Sequence, residues 1–217
     1  MIRSRDVSAP RYVAVAGNIG AGKSSLVKWL HATFDLAPFF EPQDENPYLA
    51  DFYSDMRRWA YPSQLFFLVK RFRIHREMEA SFAEGGTSKG VVQDRTIYED
   101  AEIFAAHHHA VGNIDDRDWG TYHELYTTLR AELRPPDLMI FLRCPMKVLT
   151  KRIKLRGRGY EASIPTPYLR ALDALYEDWL ARYDASPTLV LDTSELDYVT
   201  QLFDRKALID EIDRRIR

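Results

Sequence analysis

Short apolar runs and longer amphipathic stretches alternate along the chain. Tyr12-Val13-Ala14-Val15-Ala16 is a continuous apolar run stopped by Gly17. Similar runs occupy residues 90–93, 137–142 and 188–191, and a weaker one covers 38–41. Continuous runs, rather than alternating ones, predict strands buried on both faces. Between them lie stretches with helical spacing. In residues 24–34, Leu26, Trp29, Leu30 and Phe34 fall on one side. Residues 57–84, 98–111, 119–133, 146–155, 167–183 and 206–216 also predict helices. Pro62 should kink the first of these or mark its start. Residues 85–88 form a turn that feeds the strand at Gly90. Strands alternating with helices predict an α/β fold with a parallel sheet and helices on both faces. Long helices outnumber what the short strands need, which leaves helical surface for a dimer interface.

Composition narrows the function classes. A chain of 217 residues with 46% apolar content fits one domain spanning 1–217. Such a domain buries roughly 70% of its unfolded surface and needs no covalent staples. Cys144 is the single cysteine, so no intramolecular disulfide forms, and a cytosolic, cytoplasmic setting is the natural expectation. A net charge of −2 excludes the basic excess of a general nucleic-acid binder. Residues 1–10 read as a flexible polar tail without the apolar core of a signal peptide. No run of about 18 apolar residues occurs, so no membrane-spanning helix is expected. Internal repeats and low-complexity segments are absent.

The strongest chemical signal is Gly17-Asn18-Ile19-Gly20-Ala21-Gly22-Lys23-Ser24, a P-loop with every fixed position filled, followed by Ser25. Its glycines let several backbone N–H groups point at one phosphate, and the helix that follows adds its positive end. Lys23 would reach the β- and γ-phosphates, and the Ser24 hydroxyl would bind Mg2+. A predicted strand before the loop and a predicted helix after it supply the required context.

A P-loop names the phosphate donor, not the acceptor. The strand ending at Gln93 delivers Asp94-Arg95-Thr96 to the sheet edge where ligands bind in such folds. Asp94 there could hold the metal opposite Ser24, and Arg95 could orient an attacking hydroxyl. The rival reading is an Asp–Arg pair that caps the next helix. Glu41 ends the weak strand at the same edge and could take a proton from that hydroxyl. Gln64 and Arg71 are seven residues apart and share a helix face with Phe67 and Leu68 between them. An amide and a guanidinium on such a face suit a nucleobase edge, although the spacing alone favours two ordinary polar residues at a helix boundary. Arg152, Arg156 and Arg158 form a basic run broken by Gly157 and Gly159, as a lid over phosphates needs. The bland alternative is a solvated helix face.

Together these pieces resemble the deoxynucleoside kinase family, and most nearly its bacterial purine members, the deoxyadenosine and deoxyguanosine kinases. The matching motifs run in order: the P-loop, Phe40-Glu41-Pro42, Asn46-Pro47-Tyr48-Leu49 with Phe52-Tyr53, and Ser63-Gln64-Leu65-Phe66-Phe67. Asp94-Arg95-Thr96-Ile97-Tyr98-Glu99-Asp100 and Arg156-Gly157-Arg158-Gly159-Tyr160-Glu161 complete them. The resemblance implies a P-loop kinase fold with a five-stranded parallel sheet, an arginine-rich lid at about residues 152–165, and a homodimer. It implies transfer of the γ-phosphate of ATP to the 5′-hydroxyl of a deoxynucleoside in nucleotide salvage, deoxyadenosine first and deoxyguanosine second. Glu41 would be the general base and Arg95 the arginine by the 5′-oxygen. Tyr53 and Glu161 would hold the sugar 3′-hydroxyl. Gln64, Arg71 and Asp100 would form the base pocket. Asp197-Tyr198 falls near a loop that borders the donor adenine.

Other readings stand beside this one. His107-His108-His109 invites a metal, but consecutive helical residues point in different directions and cannot converge on one ion. Tyr61, Phe66, Phe67 and Phe72 read mostly as core, with part of the set free to wall a base pocket. Trp119 and Trp179 read as packing residues. A nucleoside monophosphate kinase such as a thymidylate kinase shares the loop and the Asp-Arg pair, but Glu41 would repel a phosphorylated acceptor. A non-catalytic nucleotide-binding regulator would lack both base and lid.

Overall fold

The computed structural model describes residues 11–40, 45–83, 89–159, 161, 164–194 and 202–216. Five parallel strands form one sheet in the order β2-β3-β1-β4-β5. They are β1 (Arg11–Gly17), β2 (Leu36–Phe39), β3 (Gly90–Asp94), β4 (Leu138–Arg143) and β5 (Thr188–Asp192). The chain places β3 on one side of β1 and β4 on the other, so the C-terminal end of β1 is a topological switch point, where such sheets bind ligands.

The continuous apolar runs are explained by two cores, one on each face. Tyr12, Ala14, Ala16, Val91, Met139 and Phe141 join one core, while Val13, Val15, Val92, Leu138, Ile140 and Leu142 join the other. Alternation along a strand thus divides apolar side chains between two interiors. The second core is closed by Leu26, Val27 and Leu30 of α1 (Lys23–Phe34), with Leu149 of α7 (Met146–Arg156) and Ile212 of α9 (Leu202–Ile216). The first is closed by α3 (Met56–Ala83), α6 (Asp116–Ala131) and α8 (Thr166–Arg182), through residues such as Leu68, Tyr122 and Tyr176. Trp179 is 1% exposed and packs in this core, and Trp119 stacks on His109.

Three local features depart from the periodicity. The short helix α2 (Leu49–Ser54) was not expected, because six residues are too few for a periodic signal. α3 runs through Pro62 without a break. The carbonyl that loses its partner there belongs to Arg58, which is exposed and free to bond water. Residues 98–111 are not one regular helix. A single turn, α4 (Ile97–Glu99), passes into a π-helical stretch, Asp100–Ala105, and then into α5 (Ala106–Ala110). π-Helical turns cluster at functional sites, and this one begins at Asp100.

Candidate functional site

The phosphate cradle follows β1 directly. Gly20 has φ 83° and Gly22 φ 104°, a left-handed backbone that other residues avoid. A Cβ at Gly20 would lie 2.9 Å from Ile153 Cγ1. Gly22 is the N-cap of α1, which has neither a capping side chain nor an acid in its first turn. The helix N-terminus therefore keeps its electropositive N–H groups for an anion. Lys23 Nζ donates to Gly17 O at 2.8 Å and Asn18 O at 3.1 Å, so it lies across the loop it serves. The Asn18 side chain points away, donating to Leu169 O (3.0 Å) and tying the loop to α8. Ser25 is exposed.

Ser24 Oγ, in the first turn of α1, donates to Asp94 Oδ2 at the end of β3 at 2.5 Å. Asp94 Oδ1 is buried and has no hydrogen-bond partner among the described residues. Hard divalent cations take such oxygens, and this pair fits Mg2+. The cap of α4 is Thr96, closed reciprocally by Glu99, so Asp94 and Arg95 are not the capping residues.

Beside the cradle lies an open cavity of about 480 Å³, counting the solvent at its mouth. Tyr53 of α2, Gln64 and Phe67 of α3, and Tyr168 of α8 line it. So do Arg95, Asp100, Phe104 and Glu161, and Ile19 brings the P-loop to its wall. Gln64 is 3% exposed, and among the described residues its amide has no hydrogen-bond partner. Arg71 is fully buried behind Asp100, with Nε donating to Asp100 Oδ2 at 3.0 Å and Nη1 to Asp94 O at 3.0 Å. One guanidinium therefore braces both carboxylate residues. Arg95 has φ 65°, and its guanidinium lies 4.4 Å from the Phe104 ring centre.

The basic run divides. Arg152 donates to Ala21 O (3.1 Å) and Thr193 O (2.9 Å), joining the P-loop to the end of β5. Arg156 grips Glu161 with both Nε (2.9 Å) and Nη2 (2.5 Å), and Arg158 reaches the same carboxylate at 3.5 Å. Gly157 caps α7 with φ 67°. Glu41, Tyr160 and Asp197-Tyr198 lie outside the described residues.

Sequence reasoning missed Phe104 and Tyr168 as lining residues and gave Glu99 no role. Glu99 is wholly buried; burial raises its pKa, and the charges of Arg95 and Lys23 oppose that rise. The spacing Thr96-x-x-Glu99, a capping box, was the available signal. The three histidines do not gather around one point: His107 and His108 both pack against Tyr168, whereas His109 stacks on Trp119 and pairs with Asp116 at 2.9 Å.

The deoxynucleoside kinase family matches residues 13–217. A deoxyadenosine/deoxycytidine kinase of Bacillus subtilis is 34% identical over 202 residues, covering 92% of this chain and 90% of that protein. A deoxyguanosine kinase of Lactobacillus acidophilus is 34% identical over 214 residues, covering 94% of this chain and 90% of the relative. Among solved structures, a deoxyadenosine kinase from M. mycoides with bound dCTP superposes with a TM-score of 0.78 at 29% identity, covering 94% of this chain and 99% of that one. With the loop, the sheet edge and these likenesses in agreement, the chain belongs to the deoxynucleoside kinase family and is an ATP-dependent deoxynucleoside kinase.

Proposed function

We propose that the acceptor is a purine deoxynucleoside, deoxyadenosine before deoxyguanosine, phosphorylated on its 5′-hydroxyl. The observation that carries this reading is the meeting of Gln64 and the Arg71-braced Asp100 at one cavity beside the P-loop. A planar amide offers one acceptor and two donors. Adenine presents an amine beside ring acceptors, so Gln64 can satisfy two positions while Asp100 accepts from the amine. Guanine places an oxygen where the amine was, which faces Asp100 unfavourably and ranks it second. Cytosine also pairs an amine with an acceptor, making deoxycytidine the pyrimidine rival. The similar M. mycoides deoxyadenosine kinase has been solved with dATP as well as with dCTP bound, which fits an amine-reading pocket.

In this reading Lys23 and the P-loop N–H groups hold the donor phosphates. Ser24 and Asp94 hold Mg2+, which when bound neutralises phosphate charge. Glu41 takes the 5′-hydroxyl proton, an assignment that rests on the family resemblance. Arg95 orients the attacking oxygen, and Tyr53 with Glu161 holds the 3′-hydroxyl. Arg156 and Arg158, anchored on Glu161, close the lid, and Arg152 braces the loop from behind. A nucleoside monophosphate acceptor is disfavoured by Glu41, which in this reading stands beside the 5′-oxygen and would repel a phosphate there. The assembly proposed is a homodimer, testable by light scattering.

The test is kcat/KM for the four natural deoxynucleosides and for thymidine monophosphate at fixed ATP and Mg2+. Deoxyadenosine should lead. Thymidine as best substrate refutes the pocket chemistry, and deoxycytidine as best refutes only the purine choice.

A further inference from the structure

Six charged side chains, none more than 6% exposed, crowd the junction of cradle and cavity: Lys23, Arg71 and Arg95 against Asp94, Glu99 and Asp100. Two of the carboxylates have evident tasks, since Asp94 faces Ser24 and Asp100 holds Arg71. Glu99 lies outside the cavity lining and is the most deeply buried of the six at 0% exposure. Burying a carboxylate is costly unless it is well bonded, and Glu99 is. Its Oε1 accepts from Tyr176 OH at 2.8 Å and from Gly17 N at 3.3 Å, and lies 3.7 Å from Arg95 Nε. Its Oε2 accepts from Thr96 N at 2.9 Å and from Thr96 Oγ1 at 3.4 Å.

We infer that Glu99 is a positioning residue for phosphoryl transfer, a single carboxylate that fixes Arg95 relative to the first residue of the P-loop. The inference rests on the kinase reading of the site. Arg95 is the residue that needs such a hold. It is a non-glycine residue at φ 65°, a strained conformation that persists only where the surrounding structure imposes it. Glu99 meets that strained residue at two points. Oε2 binds the peptide N–H that follows it, and Oε1 faces its side chain. On the preceding side, Arg95 N donates to Val15 O of β1 at 3.0 Å. The same Oε1 takes the N–H of Gly17, where β1 turns into the cradle. Donor loop and acceptor arginine are thereby referred to one point. Tyr176 brings α8 to that point, donating to the same oxygen. The Phe104 face on the guanidinium limits where Arg95 can go but does not fix its distance from the loop.

Glu99→Gln keeps the shape and removes the charge. Arg95 acts on the attacking oxygen, so its misplacement should be felt in the transition state more than in binding. The expected result is a kcat lowered roughly 10–100-fold, with KM for deoxyadenosine and for ATP each within about 3-fold of wild type. In an Arg95→Ala background, E99Q should add less than about a 3-fold loss, since its effect passes through the missing side chain. That background also removes the cation E99Q would leave uncompensated, so it serves where the single variant folds poorly. A wild-type kcat, a KM that rises as far as kcat falls, or additive losses in the cycle would each overturn the inference. Failure of the wild-type enzyme to phosphorylate any deoxynucleoside would sink the kinase reading alone. Crystals of E99Q would then decide: Arg95 displaced from the Phe104 ring supports the inference, and Arg95 in place overturns it.

Discussion

The phosphate cradle is backbone from one continuous stretch of chain, while the acceptor cavity is side chains gathered from α2, α3, the end of β3, the π-helical stretch, Glu161 and α8. The cradle works by shape. Left-handed glycines and an uncapped helix N-terminus make an anion site from backbone, to which the Lys23 and Asp94 side chains add charge. The cavity works by identity. In the proposed pocket, exchanging Gln64 should change which base fits without moving a strand. The cradle should therefore decide whether phosphate is held, and the cavity which nucleoside receives it. The two meet at Asp94, whose side chain faces Ser24 and whose carbonyl is held by Arg71.

The largest effects should come from the cradle. Lys23→Ala and Asp94→Asn should each lower kcat by about 10³-fold or more while circular dichroism and melting temperature remain near wild type. Both remove charge compensation at the transferring group, and neither should change which deoxynucleoside ranks first. A changed ranking would break the division between the two regions. Glu41→Gln should cost roughly 10²–10⁴-fold in kcat, with deoxynucleoside Kd nearly constant, because an amide keeps the shape but cannot accept the proton. If Kd weakens as far as kcat falls, Glu41 is a binding residue.

A smaller effect should come from the cavity. Gln64→Leu leaves a buried nucleobase edge unpaired, worth about 1–3 kcal/mol, or about 5–150-fold in kcat/KM for deoxyadenosine. KM for ATP should not move. An equal rise in both KM values would show that cradle and cavity are one coupled unit rather than two.

The two regions also differ in how far sequence alone could reach them. The cradle is contiguous, so the spacing of Gly17, Gly22, Lys23 and Ser24 declares it, and the both-face apolar runs declare the sheet around it. The cavity is assembled by tertiary packing. Seven residues between Gln64 and Arg71 permit a shared face, but nothing local states that Asp100 comes to meet Arg71 from another element. That pairing was reachable through family resemblance alone. Phe104 and Tyr168 carry no motif, because aromatic residues at helical spacing usually mean core. The π-helical stretch was invisible for a similar reason. Its apolar pattern at Ile103, Phe104 and Ala105 is also that of an ordinary helix.

The smallest expected effect tests whether the cavity wall can be loosened apart from the cradle. His108 is fully buried; it packs against Phe52 and hydrogen-bonds Tyr168, and both of these line the cavity. Asn113 Nδ2 lies 3.0 Å from His108 Nδ1, and Tyr168 OH lies 3.3 Å from Nε2. With the amide donating to Nδ1, the neutral ring donates from Nε2 to the hydroxyl, and neither bond requires a charge. Burial, with a smaller push from His107, lowers the pKa from 6.5 to about 3. The folded state thus holds His108 neutral where the unfolded chain would protonate it. Its contribution is complete above the unfolded pKa and is lost as pH falls from 6.5 toward 3. Between about pH 6.5 and 5 this should remove about 1.5 kcal/mol. His108→Gln, which cannot titrate, should flatten that part of the stability–pH curve, measured by urea unfolding at each pH. On the acid side, KM for deoxyadenosine should rise before KM for ATP, because Phe52 and Tyr168 wall the cavity, which the phosphate loop reaches only through Ile19 among the lining residues described. An unchanged slope in His108→Gln would place the acid sensitivity elsewhere. A parallel rise of both KM values would show the wall and the loop yielding together.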